Sequence, residues 1–222
     1  PKNPWDRAKG RIPGGSTSGG AVSVSDGMAV VALGTDTAGS VRVPSALCGL
    51  AGFKPTARRV AVEGIFPLAR SLDSVGPLAP SVACCALVDA IFAGQMPPDL
   101  QQRPLKGLRL AVPKHLVLDD MDDSVAASFQ AALHKLSVAG AQVTEIDFAE
   151  LARLPAINRI GGFSTAEAYA LHRENLARAG DQYDPNVAGR IQMGDAWTAA
   201  EYLDLTDIRA GMIAAANAVT AP

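Results

Sequence analysis

The chain has 222 residues, 48% of them apolar, and 20 Lys and Arg against 22 Asp and Glu, a formal net charge of −2. That suits one large domain or two small ones around a packed core. Three cysteines, Cys84 and Cys85 adjacent, imply no disulfide framework, the longest apolar run, 82–88, is far short of the ~18 residues that span a bilayer, and a pI near 5.9 argues against nucleic acid as the main partner.

The chain starts Pro-Lys-Asn-Pro and stops at Ala221-Pro222 just after a strongly helical stretch, so both ends read as cuts within a longer chain. Residues 19–27 read as a short helix of small residues. The continuous apolar run 28–34, closed by Gly34, reads as a fully buried strand. Residues 35–40 are a polar loop. Residues 41–48 open a helix that tolerates Pro44 in its first turn, and 49–55 fit a second buried strand. Residues 80–93 are helical, starting at Pro80 or Ser81 and stopping at Gly94. The polar, proline-bearing stretch 95–104 is a connection. Beyond it, 107–113 alternate as a strand. Val125, Phe129, Leu133 and Leu136 space a helix over 122–138, which Gly140 closes. Residues 142–148 alternate again, and 165–178 and 198–217 are helical. Strands interleaved with helices of this length predict an α/β fold with a mostly parallel sheet. No composition shift demands a second domain.

Several chemistries are absent. There is no G-x-G, no Walker A loop and no G-x-S-x-G elbow. His115, His134 and His172 are scattered and read as surface or capping residues, and with Cys84 and Cys85 on an apolar helical face no metal site is expected. What stands out is glycine: 11 of 21 lie between Gly10 and Gly64. Two serine-bearing, glycine-rich loops flank the strand, Gly14-Gly15-Ser16-Thr17-Ser18-Gly19-Gly20 and Asp36-Thr37-Ala38-Gly39-Ser40. Ser16 and Ser40 are 24 residues apart, a path that can return both loops to one place. The second loop precedes a helix start, where free N–H groups would converge near Ser40 as in an oxyanion hole. Helix capping is the competing role for either serine alone.

Residues 13–20 (PGGSTSGG) and 32–56 (ALGTDTAGSVRVPSALCGLAGFKPT) resemble the amidase signature family. Asn3-Pro4-Trp5-Asp6 and 71–77 (SLDSVGP) fit its flanking pattern. The resemblance implies an α/β fold with a mixed, mostly parallel central sheet covered by helices, incomplete at both ends. Residues 1–222 would be the central part of a single domain, its signature core at about 1–80 and the remainder at 81–222. It implies a Ser–cis-Ser–Lys triad, with Ser40 as nucleophile and Ser16 as the bridging serine on a cis peptide bond, the two hydroxyls within hydrogen-bond reach. The N–H groups of Thr37, Ala38, Gly39 and Ser40 match the oxyanion loop. Ala38 stands where many members have glycine. Ser18 falls near the substrate amide, and Asp36, Arg42 and Thr17 are supporting residues. No position matches the triad lysine: Lys2 and Lys9 lie in a polar loop, and Lys54 belongs to the Lys-Pro-Thr motif. The base is therefore expected outside these residues, and the piece alone inactive. The implied activity is a cytoplasmic amidohydrolase releasing ammonia or an amine from a small amide. It needs no cofactor and no direct contact with nucleic acid or membrane, and self-association into a homodimer is left open. The alternatives are the ammonia-releasing component of a tRNA-dependent amidotransferase (its A subunit) and a non-catalytic paralogue. Tyr169, His172, Arg173, Tyr183 and Trp197 are candidates to line a substrate pocket, with packing or surface roles equally open to them.

Overall fold

The structure, a computed structural model, describes residues 2–101 and 104–221. Pro1, Pro222 and, within the connection expected over 95–104, Gln102 and Arg103 lie outside the described residues. The chain divides into two compact units. The first comprises the residues up to Leu100 together with Phe163–Asp195, the second Gln101–Gly162 together with the residues from Ala196 on.

In the first unit, helix α1 (Ser18–Ser25) leads to strand β1 (Ala32–Asp36), then come α2 (Arg42–Leu47), β2 (Ala51–Gly52), β3 (Ser74–Ala79) and α3 (Val82–Phe92). The strands form one sheet in the order β1-β3-β2. Both pairings are antiparallel, with Ala32 opposite Leu78 and Asp36 opposite Ser74. Every residue of β3 is buried. This central strand carries a proline, normally a mark of sheet edges. Pro77 lies just past the end of β2, and its carbonyl still accepts the Phe53 N–H at 3.1 Å, so the contact on that side continues although the ring supplies no N–H. Gly76 cannot carry a side chain, since a Cβ there would collide with the Phe53 carbonyl oxygen. The core under the sheet is built of small side chains: Ala21, Val41, Cys48 and Leu78, all fully buried, with Val22, Ala32 and Leu50 against them.

Two sequence expectations change here. The run 28–34 is not a fully buried strand. The strand is Ala32–Asp36, Val30 is 82% and Leu33 48% exposed, and β1 has no partner on its outer edge among the described residues. The sheet of this unit is antiparallel because β3 returns between β1 and β2; among the described residues parallel pairing is confined to the second unit.

Helices α6 (Gly162–Ala179) and α7 (Pro185–Gln192) come late in the chain. Phe163–Asp195, most of this stretch, belongs to the first unit. Glu167 on α6 accepts the backbone N–H of Ser71 at 3.0 Å and also its hydroxyl, and so fixes the turn that enters β3. His172 is buried, not a surface or capping residue. Its Nδ1 lies 2.9 Å from the Tyr183 hydroxyl, and its ring meets Phe66 and Tyr183 edge-on.

In the second unit, β4 (Arg109–Pro113), α4 (Asp123–Val138) and β5 (Gln142–Ile146) make a β-α-β segment with the strands parallel, Arg109 opposite Gln142. A short helix α5 (Leu154–Ile157) and the long α8 (Ala199–Thr220) complete it. The start of α8 is fixed by a reciprocal cap in which Thr198 and Glu201 satisfy each other's backbone N–H.

Candidate active site

The loop after β1 is organised around one buried carboxylate. Asp36 is 0% exposed. Its Oδ1 accepts the Gly39 N–H at 2.8 Å, and its Oδ2 accepts the N–H groups of Val41 and Arg42 at 3.1 and 3.2 Å. The Arg42 guanidinium closes a fork on both oxygens, each at 3.0 Å. Burial alone would push this carboxyl up, but Arg42 and the three N–H donors outweigh it and hold it well below the usual carboxylate range. The same pair raises Arg42. Asp36 thus closes the loop on itself and supplies the first turn of α2 with an acceptor.

Lys54 approaches the loop from beyond β2. Its ammonium reaches the carbonyl oxygens of Asp36, Thr37 (3.1 Å) and Leu72 (3.1 Å), and Asp36 Oδ1 at 3.3 Å. The Thr37 hydroxyl donates to Asp73, whose other oxygen accepts the N–H groups of Leu68 and Ala69 at 2.9 and 3.0 Å. The loop is therefore tied to the turn that enters β3.

The first serine loop packs beside it. The Gly15–Ser16 peptide bond is cis, as the resemblance implies. The Thr17 N–H donates to the Ser40 carbonyl at 3.2 Å, which joins the two loops. Thr17 lies flat on β1, where a Cβ on Gly34 would come within 2.5 Å of its Oγ1. Gly14, at φ +82°, backs onto Pro44 of α2, where a Cβ would lie 3.0 Å from the Pro44 Cα. Asn3 is nearly buried and anchors the N-terminal run, its amide donating to the carbonyls of Ile12 (3.3 Å) and Leu47 (3.1 Å). Ser16 is exposed and Ser40 half-buried.

Most of the expected residues are brought together. Two expectations are corrected: among the described residues the Ser16 and Ser40 hydroxyls are not hydrogen-bonded to each other, and the Gly39 N–H is taken by Asp36, so it does not face a substrate. Outside the strand ladder, no described group accepts from the N–H of Thr37, Ala38 or Ser40. The two loops meet through backbone. Thr17 precedes α1 without a side-chain cap bond, and Ser18 opens that helix. Of the pocket candidates, His172 and Tyr183 bind each other, and Tyr169 is raised above its usual range by Asp195. Trp197 carries the Arg159 guanidinium 5.2 Å over its ring in the second unit. A cavity of about 570 Å³ opens beside the second loop, lined by Thr35, Asp73 and Ser74 at the strand ends and by Ile65 and Arg70 of the preceding segment. Lys54 and Asp73 hold the loop of the candidate site, and the motif reading left both without a role. A lone lysine and a lone aspartate, each beside a run destined for burial, are the signals that could have pointed to them.

Comparison with known proteins gives this geometry a lineage. The Amidase family model matches residues 1–221. Over 206 residues the chain is 39% identical to a 2-amino-5-chloromuconic acid deaminase of Comamonas testosteroni, covering 91% of this chain and 44% of the relative. It is 36% identical over 235 residues to the A subunit of the glutamyl-tRNA(Gln) amidotransferase from Roseiflexus castenholzii, covering 91% and 47%. A crystal structure of an amidase superposes with a TM-score of 0.82 at 31% identity, covering 91% of this chain and 45% of that one. The chain thus spans about half the length of the curated relatives it matches.

Proposed function

The chain belongs to the amidase family, and on that premise we propose that it carries the two serines of an amidohydrolase that cleaves a small carboxamide by acyl transfer. The observation that carries this reading is the junction of the two serine loops, Thr17 N–H to Ser40 carbonyl, beside a loop in which no described group outside the strand ladder accepts from the N–H groups of Thr37, Ala38 and Ser40. In the proposed reaction Ser40 Oγ attacks the amide carbonyl carbon, and its proton passes through Ser16 to a neutral lysine. The oxyanion is met by the N–H groups of Thr37, Ala38 and Ser40. Collapse breaks the C–N bond, and the proton returns through Ser16 to the departing ammonia or amine. Water then releases the acid and regenerates Ser40. In this proposal the lysine lies outside these residues, as the resemblance implies; Lys2 and Lys9 are exposed, and Lys54 is held by backbone carbonyls. The reaction needs no cofactor, and the proposed setting is the cytoplasm.

A second reading, favoured by the 36% identity to an amidotransferase component, keeps the same chemistry but passes the ammonia to a partner. In the whole protein, Ser40→Ala should lower ammonia release by about 10⁴-fold or more, and the variant should no longer be labelled by a fluorophosphonate that labels the unaltered protein at Ser40. Retained turnover, or labelling at another serine in the unaltered protein, overturns the assignment. Ammonia release that appears only with a partner protein present selects the second reading.

A further inference from the structure

We propose that Lys54 is a positioning residue that aims the N–H groups of Thr37 and Ala38 at the reacting carbonyl oxygen. The inference rests on the acyl-transfer reading above and deepens it. In a trans peptide unit the carbonyl of one residue and the N–H of the next point in opposite directions across a rigid plane. The one cis bond among the described residues is Gly15–Ser16, so the units 36–37 and 37–38 are both trans. Lys54 Nζ holds the carbonyl oxygens of both Asp36 and Thr37. The N–H groups of Thr37 and Ala38 are therefore both turned away from the ammonium, toward one side. Two consecutive N–H groups facing one way form a concave anion site, which extended backbone does not supply.

The rest of the loop is fixed independently of Lys54. The Gly39 N–H goes to Asp36, the Gly39 carbonyl to the Val43 N–H at 2.7 Å, and the Ser40 carbonyl to Thr17. Asp36 also ends β1 opposite Ser74, so Lys54 ties the 36–37 plane at the strand end to the 37–38 plane, whose carbonyl accepts from Lys54. The third carbonyl it holds, that of Leu72, together with the Thr37–Asp73 tie, anchors it to the turn before β3. A point cation with three donors suits three converging carbonyls, and a planar guanidinium does not.

The test compares Lys54→Arg with the unaltered whole protein, because this substitution keeps the positive charge beside Asp36. Losing an oxyanion donor costs about 10²-fold or more in kcat, so kcat should fall by about that factor while KM moves less than about threefold. The inhibition constant of an alkylboronic acid, which forms a tetrahedral adduct on the serine, should weaken by the same factor as kcat/KM. Unchanged kcat overturns the inference. So does a kcat loss with boronic-acid affinity no more affected than KM, since a merely structural lysine would move both alike. If Lys54→Arg does not accumulate as folded protein, Lys54→Gln is read by the same ratio. Ser40→Ala run alongside separates the two claims: turnover surviving there sinks the serine reading, whereas turnover lost there but intact in Lys54→Arg sinks only the role of Lys54.

Discussion

The two serine loops lie side by side but are held by different means. In the second loop nearly every peptide unit from Asp36 to Val41 has at least one end fixed, by the buried Asp36 carboxylate, by Lys54, by α2 or by Thr17. In the first loop Gly15 and Ser16 are exposed, and order comes from backing: Gly14 against Pro44, Thr17 against Gly34, and one hydrogen bond to Ser40. The difference fits the two tasks proposed for the loops. Stabilising a developing oxyanion rewards donors fixed before the reaction begins. Relaying a proton needs a hydroxyl that can turn between two partners, so a looser mounting suits it. A buried ion pair is weak support for stability in itself, but losing one partner of it is costly. Here the pair determines the shape of the loop.

The largest effect should follow from removing the centre of the rigid loop. Asp36→Ala leaves three N–H groups and the Arg42 guanidinium without their shared acceptor and removes one contact of Lys54, a loss of about 3–5 kcal/mol, to be read from urea unfolding of the whole protein. The pH dependence gives a second handle. The folded carboxyl lies below its unfolded value of about 3.9, so its contribution is complete above that pH and fades as pH falls toward the folded value. The gap between the unaltered protein and Asp36→Ala should therefore be constant from pH 7 to about 5 and narrow below pH 4, by up to about 1.4 kcal/mol per pH unit. A gap that stays constant down to pH 2 would mean that Asp36 does not organise the loop through its charge.

A smaller effect is expected where the loosely held loop rests on the strand. Gly34→Ala places a methyl 2.5 Å from Thr17 Oγ1 and 2.8 Å from its Cγ2. Thr17 is β-branched and has little rotamer freedom with which to yield, so the loop must lift. Stability should drop by about 1–3 kcal/mol, and ammonia release by a larger factor than the stability loss explains. Thr17→Ala added to Gly34→Ala removes both clashing atoms and should return most of the loss, a coupling that a double-mutant cycle measures. Strictly additive losses would break the picture of a loop seated on Gly34.

The sequence was legible where its signals are local. The helices expected at 41–48, 80–93 and 122–138 are found at Arg42–Leu47, Val82–Phe92 and Asp123–Val138, because glycine, proline and capping serine act within one turn. Both serine loops were visible as motifs. Strand β3 was not expected, since Gly76-Pro77 reads as a turn. The exposure of β1 was missed because a continuous apolar run does not say which strand forms the sheet edge. The use of the Gly39 N–H by Asp36, and the ties of Lys54 and Asp73 to residues 17 to 36 positions away, depend on contacts that no periodicity encodes. His172 reads as polar in sequence, and a tyrosine eleven residues on lets it be buried.

The smallest expected effect has the opposite sign and probes the same contrast from the open side. Gly19 sits in the first turn of α1, is exposed, and a Cβ added there meets nothing within 4 Å. Its backbone is not left-handed, so alanine meets no strain. Replacing glycine by alanine within a helix lowers the entropy of the unfolded chain and gains about 0.5–1 kcal/mol, less near an end. Gly19→Ala should thus raise the unfolding midpoint slightly and leave ammonia release within about twofold. An unaltered release rate would mean that the backbone behind Ser16 and Thr17 tolerates stiffening, as expected of a loop whose order comes from what lies beneath it. A marked fall, with stability unchanged or higher, would mean that this helix start must move during turnover. The contrast between the loops would then be one of motion rather than of mounting.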